Sequence, residues 1–278
     1  MKSLPTAGLW ALLMLSLAAT AQDTTNASTT VMNQSSQTGF TSMKGAYDML
    51  VQKVSIDGED SLSNVRQFKI YTDRHFMYAH ALPGDSLADF GIGTYRVQNN
   101  KVIEYPFYTA ASGPVQDSFV LGIMKTADGY SQIINLPPDN QGRRYMLIED
   151  YRDASRNVRS PLDGAWKMTR LTLYPKGGKP TVINNPVQFK VYQSGHVIWA
   201  NSELDSATQR RVAFFGFGNF KMNGANKAVE TITQSTYRSQ LQGQSVTLQL
   251  AFQGKDRYQQ TIVSANGDRM VEEYERLK

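Results

Sequence analysis

An all-β fold is predicted, arranged as two consecutive eight-stranded up-and-down antiparallel barrels, and three observations predict it. First, the chain contains its own second copy. Gln67-Phe68-Lys69-Ile70-Tyr71, a turn, and His75-Phe76-Met77-Tyr78-Ala79 return as Gln188-Phe189-Lys190-Val191-Tyr192, a turn, and His196-Val197-Ile198-Trp199-Ala200. Second, the apolar period within each copy is two, and turn residues punctuate it at short intervals. Third, neither copy holds a long amphipathic stretch of helical period that would cover an open sheet. A meander of about eight strands in roughly 110 residues then removes its edges most simply by closing on itself. Paired sandwiches would need longer crossing connections.

The elements follow in order. Lys2, the apolar run 7–17 and Ala19-Thr20-Ala21 have the order of a secretory signal peptide, residues 1–21, cleaved before Gln22. The run is too short to span a bilayer. Residues 22–41 are dominated by Thr, Ser, Asn and Gln and read as a polar tether without the apolar surface needed to fold. The first barrel is expected over 42–153, with strands at 45–56, 65–71, 75–81, 90–97, 101–108, 118–125, 130–136 and 144–151. A short charged linker, 154–161, ends in Ser160-Pro161. The second barrel, 162–278, repeats the series at 164–174, 187–192, 196–200, 212–222, 228–236, 245–252, 258–264 and 269–274. Asn99-Asn100, Asp128-Gly129, Asn223-Gly224 and Asn266-Gly267 sit where hairpins call for positive φ.

Composition narrows the function classes. The chain has no cysteine, which removes disulfides, thiolate metal sites, thiol nucleophiles and a lipobox acceptor. Net charge is +5, and loss of Lys2 with the leader leaves 28 basic against 24 acidic residues. These charges are scattered, with only Arg143-Arg144 and Arg210-Arg211 adjacent, so a nucleic-acid partner is not expected. No later segment is a membrane helix, and the mature chain is expected to be exported, to the periplasm, the outer-membrane surface or the medium.

Other blocks recur in the same order. Gly45-Ala46-Tyr47 returns as Gly164-Ala165-Trp166, Phe90-Gly91-Ile92-Gly93 as Phe215-Gly216-Phe217-Gly218, and Lys101-Val102-Ile103-Glu104 as Lys227-Ala228-Val229-Glu230. Together with Glu272-Glu273-Tyr274-Glu275-Arg276 at the end, this series resembles a lipocalin-like, calycin-type domain. More narrowly, it resembles the lipocalin-like domains of uncharacterised function in exported bacterial proteins, here in tandem. The resemblance implies that Trp166 packs at the closed end of its barrel against Arg276, and Tyr47 against Arg152. The first copy departs from the pattern by carrying tyrosine in place of tryptophan.

The candidate ligand-binding residues are His75, Tyr78, Tyr95 and Glu104, with their counterparts His196, Trp199, Phe220 and Glu230. His75 and His196 read as polar handles inside the barrels, as axial haem ligands of the kind some calycin-type barrels use, or as turn-flanking residues kept after duplication. His80 lies an odd step from His75, so the two face opposite sides of one strand, which argues against a metal site between them. No cofactor and no metal are expected. For Glu104 and Glu230 a period of two does not assign the inner face, and an outward or rim position is favoured. Tyr71, Tyr78 and Tyr95, matched by Tyr192, Trp199 and Phe220, either line an apolar cavity or fill it, since an eight-stranded barrel is just wide enough for its own side chains.

Catalytic motifs fail on context. Gly91-Ile92-Gly93 and Gly216-Phe217-Gly218 lack a third glycine and a following helix, and no nucleophile elbow is present. The expected function is non-enzymatic: two barrels, each binding a small apolar or amphipathic molecule such as an acyl chain of roughly ten carbons, which gains about 8 kcal/mol before ordering costs. The alternative is a structural or interaction module of the cell envelope with solid barrels, favoured by the lack of a cavity above about 300 Å³. Convergence of a Glu, a His and a Tyr of one copy in a pocket would raise the case for an enzyme.

Overall fold

The computed structural model describes residues 40–63, 65–82, 88–205, 210–237 and 239–278. The stretches expected to be a leader, 1–21, and nearly all of the expected tether, 22–41, lie outside the described residues. The first half contains β1 (Gly45–Ile56), β2 (Glu59–Ser63), β3 (Gln67–Tyr71), β4 (His75–Ala81), β5 (Ala88–Gln98), β6 (Lys101–Thr109), β7 (Gly113–Pro114), β8 (Phe119–Thr126), β9 (Gly129–Leu136) and β10 (Tyr145–Asp153). The second contains β11 (Gly164–Tyr174), β12 (Thr181–Asn184), β13 (Gln188–Gln193), β14 (His196–Leu204), β15 (Arg211–Met222), β16 (Lys227–Ser235), β17 (Ser245–Phe252), β18 (Arg257–Val263) and β19 (Arg269–Arg276). A single 3₁₀ turn, Ser239–Leu241, follows β16.

Both halves are closed eight-stranded antiparallel barrels. In the first, β1, β3, β4, β5, β6, β8, β9 and β10 follow one another as neighbours and β10 closes onto β1. In the second, β11 and β13 to β19 do the same, with β19 closing onto β11. The short strands β2 and β12 lie beside the far halves of β1 and β11, and β7 beside β6; period and turn signals alone did not reveal them. β1 and β11 each carry a bulge, between Met49 and Val51 and between Met168 and Arg170. Such bulges add the local bend that closure needs.

The repeated glycines have two separate jobs. A Cβ on Gly91 would lie 2.5 Å from the Tyr78 ring, and one on Gly216 would lie 2.5 Å from the Trp199 ring. Their absence lets one aromatic ring per barrel lie flat across the neighbouring strand. Gly93 and Gly218 sit at bulges where a Cβ would come within 2.2 Å and 2.0 Å of the carbonyl oxygens of Tyr105 and Thr231. Asn99 and Asn100 adopt φ of 50° and 59°, as a two-residue hairpin turn demands. Asp128-Gly129 departs from its expectation, since neither residue has positive φ. Glycine is needed at 129 because a side chain there would strike the Tyr151 carbonyl 2.0 Å away.

The barrels are joined by a hydrophobic core that belongs to neither alone. Phe68, Ile70, Met77, Ala79, Phe90 and Ile92 on the outer faces of β3 to β5 pack with Phe189, Val191, Ile198, Ala200, Phe215 and Phe217 on β13 to β15. Phe68 stacks on Phe217 with centroids 5.1 Å apart, and Phe189 meets Tyr108 at 5.4 Å. Every residue of β3 is buried, which a strand with one wet face would not show. Each barrel also has its own inner cluster, around Trp166, Tyr192 and Tyr258 in the second and around Tyr47, Tyr71 and Tyr130 in the first.

The closed ends differ. Arg276 lies over Trp166 at 4.0 Å, as the resemblance implied, and donates to the Asp163 carbonyl. In the first barrel Arg152 instead pairs with Asp48, and the cation over the Tyr47 ring is Lys125, 5.7 Å from its centroid.

Candidate functional site

Each barrel contains the same polar floor. Lys69 on β3 places Nζ 2.7 Å from Glu104 on β6, the Tyr71 hydroxyl donates to the same carboxylate at 2.5 Å, and Gln132 on β9 faces the ammonium at 3.5 Å. Gln132 in turn donates to Glu149 on β10. In the second barrel Lys190 meets Glu230 at 3.0 Å and Gln260 at 3.3 Å, Tyr192 donates to Glu230, and Gln260 donates to Glu272. Glu104 and Glu230 are therefore inside, not outward or at a rim. Lys69 and Lys190 are buried on the same inner face and need an anion beside them. An unpaired charge there would cost several kcal/mol. Burial first, and the neighbouring carboxylate next, push the Tyr71 and Tyr192 phenols far above their ordinary range, so both remain donors.

The other sequence candidates separate into two groups. His75 and His196 face outward into the core between the barrels. His196 lies against Phe68 with centroids 5.3 Å apart and contacts the Ala154 carbonyl at 2.6 Å, while His75 meets the edge of Phe107. Burial holds His75 down at about 4, and it lowers His196 too, against the opposing pull of that carbonyl. Tyr78 and Trp199 face inward over their glycines. Tyr95 and Phe220 stand edge-on to Tyr71 and Tyr192, at 4.8 Å and 4.9 Å, where they fill the end at which β3 turns into β4 and β13 into β14.

At the opposite end the first barrel retains a cavity of about 150 Å³. Its walls are apolar, with Val54, Leu121, Ile134 and Leu147 from the strands and Val115 from the loop after β7. One side carries a polar row read directly from strand register. Gln67 on β3 lies opposite His80 on β4, and His80 lies opposite Asp89 on β5. Glu149 accepts from the Tyr151 hydroxyl at 2.7 Å, Tyr151 accepts from Gln67 Nε2, and Gln67 Oε1 is 3.1 Å from His80 Nδ1. The row therefore assigns the proton of a neutral His80 to Nδ1. Among the described residues its Nε2 has no hydrogen-bond partner, although the side chain is buried, and Asp89 Oδ2 is 3.9 Å away. Burial pushes the Asp89 carboxyl up, while His80, the Phe90 N–H and the Tyr78 hydroxyl favour its ionised form.

The second barrel lacks this row. Gln188 remains and donates to Tyr274, but Asn201 stands at the position of His80 and Phe214 at that of Asp89. Tyr237 meets both Trp199 and Phe214 edge-on, at 6.3 Å and 5.8 Å, so three rings gather where the first barrel is open. Leu171 likewise replaces Gln52, which donates to Glu149 in the first barrel.

A Glu, a His and a Tyr thus converge in the first barrel through Gln67. The amide orients the imidazole and does not titrate, so the row holds a tautomer and does not relay a proton. Sequence reasoning weighed His80 only as a metal partner for His75, and did not single out Asp89, because it weighted residues present in both copies. The usable signal was the register Gln67–His80–Asp89 and the absence of its like at 201 and 214. Among the described residues, no cluster of three or more His, Asp or Glu is placed to hold a metal.

No protein-family model matches the chain, and no curated protein matches its sequence. Among solved structures the chain is similar to a protein of unknown function from the DUF3598 family of Nostoc punctiforme PCC 73102, at 11% identity and a TM-score of 0.27, covering 84% of this chain and 96% of that one. A likeness of that degree assigns no activity.

Proposed function

We propose that the first barrel is the receptor for one small amphipathic molecule, a lipocalin-like use of the fold, and that the second barrel is its structural support. The observation that carries this is the difference at the mouth: a cavity beside an unpartnered buried imidazole nitrogen in one barrel, three clustered rings in the other. An apolar cavity of about 150 Å³ accepts a body the size of benzene. The cavity lies below the roughly 300 Å³ that marks an ordinary ligand pocket, the outcome named above as favouring solid barrels; it rules out a ten-carbon chain and narrows the proposal to a ring-sized ligand. The role is binding without turnover, since the polar row orients an acceptor and contains no activated nucleophile. Export remains part of the proposal and rests on the order of residues 1–21; the intact mass of the mature protein should match residues 22–278.

Native mass spectrometry of the full chain purified from its own host tests the reading. One bound molecule per chain is expected. It should be lost in the H80N/D89F double variant, which copies the second barrel's residues, with no loss of folded protein. Recovery of empty wild-type protein would favour the structural alternative.

A further inference from the structure

The hydrogen bonds around His80 constrain what the cavity can hold. Three acceptors in succession each take a donor from the next residue: Glu149 from Tyr151, Tyr151 from Gln67, and Gln67 Oε1 from His80 Nδ1. The free His80 Nε2 is then a lone pair. It stands 3.9 Å from Asp89 Oδ2, too far for a direct hydrogen bond. One donor atom placed about 2.9 Å from each would bridge them, which is ordinary hydrogen-bond geometry. Charge points the same way. Among the described residues Lys69 is the one lysine or arginine lining the cavity, and Glu104 already neutralises it at 2.7 Å. Among the described residues Glu149 is held by neutral donors, Gln52, Gln132 and Tyr151, and Asp89 faces the Tyr78 hydroxyl and His80, an imidazole that offsets the carboxylate only when a second proton sits on Nε2. The interior therefore holds more carboxylates than cations.

Resting on the reading of this cavity as a receptor, we infer that its ligand is a small primary amine, with an apolar body among Val54, Leu121 and Ile134 and an ammonium head between His80 Nε2 and Asp89. The ammonium supplies the missing donor and the missing positive charge together, and a charge-assisted hydrogen bond is roughly twice as strong as a neutral one. The head lies at the mouth side of the polar row and the body on the apolar wall opposite, so a carboxylate head on the same body meets a lone pair and an anion.

Calorimetric titration of the full chain at pH 7 with benzylamine, benzyl alcohol, toluene and benzoate tests this, because the four share one ring and differ at the head. Benzylamine should bind at least about tenfold more tightly than toluene, with benzyl alcohol between them and benzoate weakest. D89N should bring benzylamine down to the level of benzyl alcohol and leave toluene unchanged. Toluene or benzoate binding as tightly as benzylamine to the wild type would overturn the amine while leaving a receptor in place. Failure of all four to bind would overturn the receptor reading and the amine with it.

Discussion

In the first barrel the row across β3, β4 and β5 reads Gln67, His80 and Asp89; in the second the same row reads Gln188, Asn201 and Phe214. One layer deeper the two barrels agree residue for residue, with Lys69, Glu104, Gln132 and Glu149 matched by Lys190, Glu230, Gln260 and Glu272. The agreement marks what each barrel needs in order to stand. The disagreement marks where one of them was free to do something else. A duplicated chain thus carries its own control, and residues kept in both copies are the poorer guides to a site.

The largest effect should come from breaking the shared floor. K69M and K190M each strand a buried carboxylate and should each cost about 3–5 kcal/mol in urea unfolding, whereas the double replacement K190M/E230L should recover most of the loss. Near-equal losses in the two barrels would sharpen the comparison, and tolerance of one variant would show that the floors are not equivalent. Next come the bulge glycines. G93A and G218A both drive a Cβ into a carbonyl oxygen of the neighbouring strand and should cost about 1–3 kcal/mol. G91A and G216A should cost less, because the obstacle is a side-chain ring, and Tyr78, beside the cavity, should yield more readily than Trp199, hemmed in by Tyr237.

The smallest effect concerns the histidines between the barrels. His75 is held at about 4 in the folded protein, below its ordinary 6.5, so the unfolded chain binds its proton first as pH falls. Its contribution is fully present above pH 6.5 and is lost as pH falls from there toward 4. H75F should therefore show a smaller drop in stability than wild type between pH 7 and pH 5. H196F should show a weaker version of the same change, since the Ala154 carbonyl opposes the shift at His196. Identical acid limbs in wild type and H75F would remove His75 from the account.

Much of the fold was legible because closure, period and turns are local matters. Strands β1, β4, β11 and β17 lie where alternation and Gly or Asn punctuation placed them. β2 and β12 were not legible, since each depends on pairing with the far half of a long bent strand and has little alternation of its own. The site was harder to read for a different reason. His75 and His196 recur because two outer faces meet there, a contact between barrels that no single repeat reveals. Glu104 and Glu230 recur because each pairs with a lysine across the barrel interior, 35 residues away in the first copy and 40 in the second. His80 and Asp89 become visible only when strand register places them side by side.

The most direct measurement of the central claim is methyl NMR of the full chain, labelled at Leu, Ile and Val and titrated with benzylamine. Shifts confined to Val54, Leu121, Ile134 and Leu147 of the first barrel, with Leu248, Leu250 and Ile262 of the second unmoved, are predicted. Equal shifts in both barrels, or in the second alone, would contradict the division of labour between them.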